Sequence, residues 1–276
     1  MIRTRLTSTV FAAIAVALAM WATPARAQDI LYARTFDFVS TPVIGGLADL
    51  ELDFTFVVTF EDLLGELRGQ EWDLVIVRGF IPFAAALEGD ILAELEAHVA
   101  RGGALHFQMA ELDRVSKRYY DLLGLDGAVE LELPLPNIRA PRPVHPSVSG
   151  LGFLNVGDEL FPPDYGDILL PGPGAFVTQT FEVGGPAATV IARDGQVIVN
   201  GPQWDNWQST GIPRKQIRWL LSCKADLDGD GDLTIFDFLE FQTLFDARDV
   251  RADVFYDGRF DIFDFLAFFN QFDAGC

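Results

Sequence analysis

From Asp29 onward, short continuous apolar runs alternate with stretches whose apolar residues recur every three or four positions. The runs DILYARTF (29–36), LDFTFVVTF (52–60), DLVIVRGF (73–80) and ALHFQMA (104–110) read as strands. Between them, EDLLGELRG (61–69) and GDILAELEAHVARGG (89–103) carry helical spacing, the second closed by glycines, and RVSKRYYDLLGL (114–125) follows as a third helix. A proline-rich passage over 133–148 interrupts the pattern. FVTQTFEV (176–183), ATVIARD (188–194) and QVIVNG (196–201) resume it as strands, and PRKQIRWLLS (213–222) closes it as a helix.

Near-continuous apolar strands separated by helices predict an α/β domain over 28–222, a flavodoxin-like, mostly parallel sheet with helices on both faces. After Ser222 the pattern changes character. DLDGDGDLTIFDFLEFQTLFDA and DVFYDGRFDIFDFLAFFNQFDA form a repeat offset by 27 residues. Each copy is an acidic, glycine-containing turn followed by a phenylalanine-rich helix, so 223–276 reads as a small all-α duplicated unit.

The first copy matches a twelve-position calcium loop. Asp226, Asp228 and Asp230 fall at positions 1, 3 and 5, Gly231 at 6, Asp232 at 7, Thr234 at 9 and Asp237 at 12. Alternating hard oxygen donors around a glycine turn suit Ca²⁺, whose shell is large and flexible, with Asp232 ligating through its carbonyl. In the second copy Asp253, Asp257, Asp261 and Asp264 hold positions 1, 5, 9 and 12, but Phe255 at position 3 offers no oxygen. That loop either binds more weakly or keeps the fold without the metal. The helix phenylalanines serve a core, a partner surface, or both.

Two features bear on the compartment. MIRTR followed by VFAAIAVALAMWA and ARA (25–27) has the basic, apolar and small-residue order of a signal peptide, with the mature chain starting near Gln28 and no stable membrane span left. The expected location is secreted, periplasmic or attached to the cell surface. The only cysteines, Cys223 and Cys276, bracket the repeat; they form a disulfide staple or remain two thiols. A formal charge of −20 excludes a nucleic-acid role, since phosphates would be repelled.

The duplicated loop–helix at the C-terminus of an exported chain resembles a type I dockerin, and the ending DAGC resembles the Gly-Cys-ending dockerin-like tails of non-cellulosomal bacteria. The resemblance implies a calcium-folded plug that docks to a cohesin-like or other surface protein. It places the partner-reading positions at Ile235, Phe236, Ile262 and Phe263, where cellulosomal dockerins often carry small hydroxylated residues.

EWDLVIVRGF, ILAELEAHVARGGALHF, HPSVSGLGFLNVGDELF and GQVIVNGPQWDNW, in that order, resemble the class I glutamine amidotransferase-like superfamily, the trehalose-utilisation type above all. That superfamily carries a cysteine nucleophile in the turn after the ALHF strand. Here the expected elbow reads Gln108, Met109, Ala110, and 28–222 contains no cysteine, which excludes thiol amidotransfer. No G-x-S-x-G motif replaces it. His98 and His106 read as structural, whereas His145, in VHPSVSG, is either a turn cap or a functional histidine.

Ligands of open parallel sheets gather beyond the carboxyl ends of the strands. That rule assembles a candidate crevice from Arg78, Glu111, His145, Trp204 and Asp205, where paired tryptophans around Asp205 and Asn206 could stack on a carbohydrate or simply pack the last helix. The expected function is that of an exported calcium-binding protein, anchored by its tail and carrying a noncatalytic α/β binding domain. The alternative is a dockerin-borne hydrolase of glycans with Glu111 and Asp205 as its carboxylates, in no case using a cysteine nucleophile.

Overall fold

The computed structural model describes residues 28–34, 42–80, 85–131, 137–139, 154–155, 166–182, 184–202, 211–228, 232–254 and 259–275. Residues 1–27 and most of the proline-rich passage lie outside these residues. Among the described residues no helix is long and apolar enough to cross a membrane.

Among the described residues five strands form the parallel part of the sheet: β1 (Ile30–Arg34), β2 (Thr55–Val57), β3 (Leu74–Phe80), β4 (Ala104–Ala110) and β11 (Val197–Asn200), in the order β2-β1-β3-β4-β11. Beyond β11 every ladder is antiparallel, through β10 (Ala187–Ala192), β9 (Phe176–Phe181), β8 (Asp167–Pro171), β5 (Leu125–Glu130), β6 (Asn137–Arg139) and β7 (Leu154–Asn155). The expectation of a mostly parallel sheet is therefore corrected to a mixed one. The cause is connection length. β10 returns to β11 through a tight turn with Arg193 and Asp194 at φ 54° and 53°, far too short for a crossover helix.

Helices cover both faces. Leu31, Val75, Val77, Leu105 and Phe107 point to the side covered by α2 (Phe60–Gly69), α3 (Glu88–Ala100) and α4 (Lys117–Leu123). Ile30, Tyr32, Ile76 and Ile198 point to the side covered by α1 (Pro42–Asp49) and α5 (Gly211–Leu221). Period-two alternation sorts the two sets, and both are buried because both faces are covered. The predicted strand at 52–60 is shorter than expected: Thr59 caps α2 by accepting from Asp62 N at 3.0 Å, which turns the chain into helix at Phe60.

On the second face α1 and α5 approach so closely that a Cβ at Gly46 would lie 2.9 Å from Arg214 N. The obstacle is backbone and cannot swing away. Gly46→Ala is expected to destabilise the α/β domain by about 1–3 kcal/mol in denaturant unfolding, despite alanine's better helix propensity. An unchanged midpoint would show that the helices can separate without cost.

The tail contains α6 (Ile235–Asp246) and α7 (Ile262–Ala274) around a core of their own, with Phe241 and Phe268 fully buried. These two rings are repeat equivalents, and they stack on each other at 4.3 Å and 13°. Phe241–Phe245 and Phe268–Phe272 have the same centroid spacing, 5.8 Å, and tilts of 40° and 41°. The sequence repeat is thus a structural one, with a pseudo-twofold relation through the central stack.

Candidate functional site

Four of the five parallel strands carry a polar residue in register at or near their carboxyl ends. Cross-strand register pairs Arg34 with Arg78, Arg78 with Gln108, Gln108 with Asn200, Asn200 with Thr189 and Thr189 with Gln179. The result is a polar row across six strands, on the face shared with α1 and α5, at the carboxyl edge of the parallel strands. All but Arg34 are buried. Arg78, expected to line an open crevice, is only 2 % exposed, and burial holds its guanidinium below the usual arginine range against the opposing pull of Tyr32.

Behind the row, His106 is fully buried and burial pushes its imidazole down to about 4, with the Arg78 charge acting in the same direction. The ring is therefore neutral at pH 7. Its Nε2 lies 2.8 Å from Gln216 Oε1, so Nε2 carries the proton and donates it. Gln216 Oε1 also accepts from Asn200 Nδ2 at 3.1 Å, and Gln216 Nε2 donates to Asn200 Oδ1 at 2.9 Å. Gln108 Nε2 donates to Pro202 O at 3.1 Å and so fixes the chain where it leaves β11. His98 Nε2 donates to Ala104 O at 2.8 Å within the same domain. Both histidines serve the framework.

The elbow after β4 lies two residues beyond the position expected from sequence. Met109 continues the strand, pairs in register with Gly79 and is wholly buried in the core. The turn falls at Glu111, in the left-handed region at φ 64°, ψ 33°, and leads directly into a 3-10 turn over Leu112–Arg114. A strand-to-helix elbow with a side chain presented at its apex is the geometry that displays a nucleophile in hydrolases. Here the apex is a carboxylate bound to Arg114 at 2.9 Å.

Asp167, on β8, closes the elbow. Its carboxylate accepts from Leu112 N at 3.0 Å and from Asp113 N at 3.3 Å. The N–H after the apex residue is the group that holds an oxyanion in acyl transfer. In this protein that donor is already occupied by an internal carboxyl group. Burial pushes the Asp167 carboxyl up to about 7, and the neighbouring Asp113 charge adds to the shift, while the two backbone donors oppose it. Tyr120 secures the other side of the turn by donating to Leu112 O at 2.6 Å. Of the remaining crevice residues, His145, Trp204, Asp205, Asn206 and Trp207 lie outside the described residues.

The second constellation lies at the head of α6. Asp226, Asp228 and Asp237 bring carboxylate oxygens within 4.8 Å of one another. Asp237 is fully buried and accepts from Leu227 N at 2.8 Å and Asp228 N at 3.3 Å through Oδ1, and from Thr234 N at 2.8 Å through Oδ2. Thr234 in turn accepts from Phe236 N, so positions 9 and 12 of the loop form the capping box of the helix. Asp261 and Asp264 do the same for α7, with Asp264 Oδ2 accepting from Asp261 N at 2.9 Å. Asp232 is exposed at the loop's end and Asp253 is buried. Asp230, Gly231, Phe255, Asp257 and Gly258 lie outside the described residues. Cys223 is in a disulfide; Cys276 also lies outside the described residues.

Ile235, Phe236, Ile262 and Phe263 are all exposed, by 62 %, 63 %, 63 % and 53 %.

No family model matches this chain. Nor does any curated protein. Among solved structures it is similar to a putative GMP synthase subunit protein from Thermoplasma acidophilum, at 13% identity and TM-score 0.46 over 71% of this chain and 94% of that one. A glutamine amido transferase from Methylobacillus flagellatus aligns at 12% identity and TM-score 0.41, covering 70% and 91%. A glutamine amidotransferase from Thermotoga maritima aligns at 12% and 0.44, covering 90% and 98%. No score reaches 0.5, so strand order and register, rather than these alignments, define the fold.

Proposed function

We propose that this chain is an exported calcium-binding protein that attaches through residues 223–276 to a cohesin-like or other surface or scaffold partner. Residues 28–222 then act as a noncatalytic, amidotransferase-like binding domain, with a carbohydrate as one candidate ligand. The observation that carries the reading is the convergence of Asp226, Asp228 and Asp237 at the start of one of two repeat-related, capped helices.

The donor set fits Ca²⁺. Three carboxylates within 4.8 Å repel one another by roughly 3 kcal/mol per pair at an effective dielectric constant of about 20, which a divalent cation would reverse. Asp237 Oδ1 already accepts two hydrogen bonds, but Oδ2 accepts one and keeps an acceptor site for a metal. Asp226, Asp228 and Asp237, with Asp230 and the Asp232 carbonyl from the sequence spacing, would hold the ion; Asp253, Asp257, Asp261 and Asp264 would form the partial second set. Bound calcium would offset part of the loop's negative charge and link metal binding to folding. A Cys223–Cys276 disulfide would close the unit. The occupied N–H groups at the Glu111 elbow support binding rather than acyl transfer in the larger domain.

Calorimetric titration of the full chain with Ca²⁺, with circular dichroism at each end point, tests the reading. Saturable heat with a gain in helix is the expected result. No heat and no change in helix would remove the calcium-anchoring function altogether.

A further inference from the structure

The tail helices are apolar on two sides, and only one side is used by their core. On α6, Ile235, Leu239 and Gln242 recur at i, i+4 and i+7 and so share one stripe, which ends at Asp246. On α7 the equivalent stripe is Ile262, Leu266 and Phe269, ending at Asp273. Leu239, Leu266 and Phe269 are 48 %, 53 % and 49 % exposed, and both aspartates are exposed.

Ring contacts fix how the stripes meet. Phe238, early in α6, lies 5.6 Å from Phe269, whereas Phe245, late in α6, lies 4.9 Å from Phe265 and 6.1 Å from Phe260. The helices are therefore antiparallel. Phe238 borders the stripe of α6, and its contact with Phe269 puts both stripes on the same side of the pair. They form one continuous apolar strip with an aspartate at each end, about 16 Å apart for helices of this length. Phe236 and Phe263, one residue on from the isoleucines, lie about 100° round their helices from them. Within the strip the pseudo-twofold relation is broken at one place: Phe269 stands where α6 has Gln242.

Charge selects the occupant. Residues 223–276 carry thirteen acidic and four basic side chains, so even two bound calcium ions leave the unit negative. A second copy or an anionic membrane would be repelled. We infer that this strip docks a protein element whose apolar ridge is flanked at both ends by lysine or arginine, with Phe269 and Leu266 as its anchors and Asp246 and Asp273 as its end charges. The inference rests on the docking function proposed above and specifies the chemistry of the partner.

Two synthetic helical peptides of about fourteen residues, long enough to span the strip, serve as probes. Both carry a leucine ridge, one with lysines at both ends and the other with glutamates. With calcium-loaded full chain, fluorescence anisotropy is expected to show saturable binding of the lysine-ended peptide only. Phe269→Gln and Leu266→Gln should each weaken it about tenfold or more, as anchor truncations do. Asp246→Asn with Asp273→Asn should weaken it and flatten its salt dependence. Val58→Gln, as exposed as Leu266 but in the α/β domain, should leave it unchanged. Equal binding of the glutamate-ended peptide, or equal loss with Val58→Gln, would overturn the inference. So would binding of neither peptide to a chain that calcium folds, with the calcium reading left standing. Absence of calcium-linked helix gain would instead sink the docking function itself, whatever the peptides do.

Discussion

Asp237→Ala is expected to unfold the tail while leaving the α/β domain folded. The side chain is fully buried, and its carboxylate is the acceptor for Leu227 N, Asp228 N and Thr234 N. Removing it orphans three loop donors at about 1–3 kcal/mol each and deletes one half of a capping box. These losses overlap, so a total on the order of 4 kcal/mol is expected, which a unit of this size cannot absorb. The repeat supplies an internal control. Asp264 occupies the equivalent place and its carboxylate accepts from Asp261 N, but its loop has Phe255 where the first has Asp228. On the calcium reading proposed above, the poorer donor set around Asp264 means that Asp264→Ala should cost less.

Limited proteolysis and far-ultraviolet circular dichroism at saturating calcium would measure both. Asp237→Ala should expose 223–276 to cleavage and release a resistant larger fragment; Asp264→Ala should do so only on warming. Asp237→Asn keeps an oxygen for Leu227 N and Asp228 N but turns a donor toward Thr234 N. It should fall between wild type and alanine in stability, with a weakened calcium response. Equal effects of the two alanine variants would show that the fuller donor set of the first loop adds nothing to its stability.

Asp237 is readable from sequence as a loop position, because its neighbours in space are also its neighbours in the chain. The same locality makes the duplicated helices and their phenylalanine core legible. The strands of the polar row are legible in part: in each of the runs 30–34, 74–80, 104–110 and 197–200 an apolar stretch is followed by a polar residue, Arg34, Arg78, Gln108 or Asn200, a signal visible without coordinates. What period-two patterning does not reveal is that the row is buried, since that depends on α1 and α5 closing over it. Gly46 inside α1 makes PVIGGLAD a weak helix by propensity, and the helix exists because the glycine lets it pack on α5.

The turn at Glu111 escapes sequence reasoning by two residues for a related reason. Met109 is an ordinary core residue of a strand that the sequence already extends to Ala110, and nothing local places the turn after it at Glu111. The left-handed residue is fixed from outside, by Asp167, which is 55 positions away from Leu112 in the chain. No spacing rule couples residues at that distance in the chain. Asp167 is accordingly invisible as a site residue in the sequence, although it determines what the elbow can do.

The pH dependence of Asp167→Asn provides the test of that role. In the unfolded chain an aspartate titrates near 3.9, whereas burial pushes the folded carboxyl up to about 7. The folded state therefore binds this proton more tightly. Between about pH 4 and pH 7 the native protein holds more protons than the unfolded chain, so stability falls as pH rises through that window and levels above it. The full linkage is at most about 4 kcal/mol, shared with Asp113 because the two carboxyls are neighbours.

Asp167→Asn removes the titration while keeping an oxygen for Leu112 N. It should match wild type near pH 4 and exceed it by about 2–3 kcal/mol at pH 8, measured as chemical denaturation of the α/β domain. Part of the gain is lost because the amide nitrogen meets the Asp113 N–H as donor against donor. Asp167→Ala, with the acceptor gone, should be less stable than Asp167→Asn at every pH, since Leu112 N and Asp113 N are then left without it. Parallel pH curves for wild type and Asp167→Asn would show that Asp167 is ionised in the fold like any surface carboxylate. The elbow's donors would then be held by a permanent anion, and protonation would play no part in closing the site.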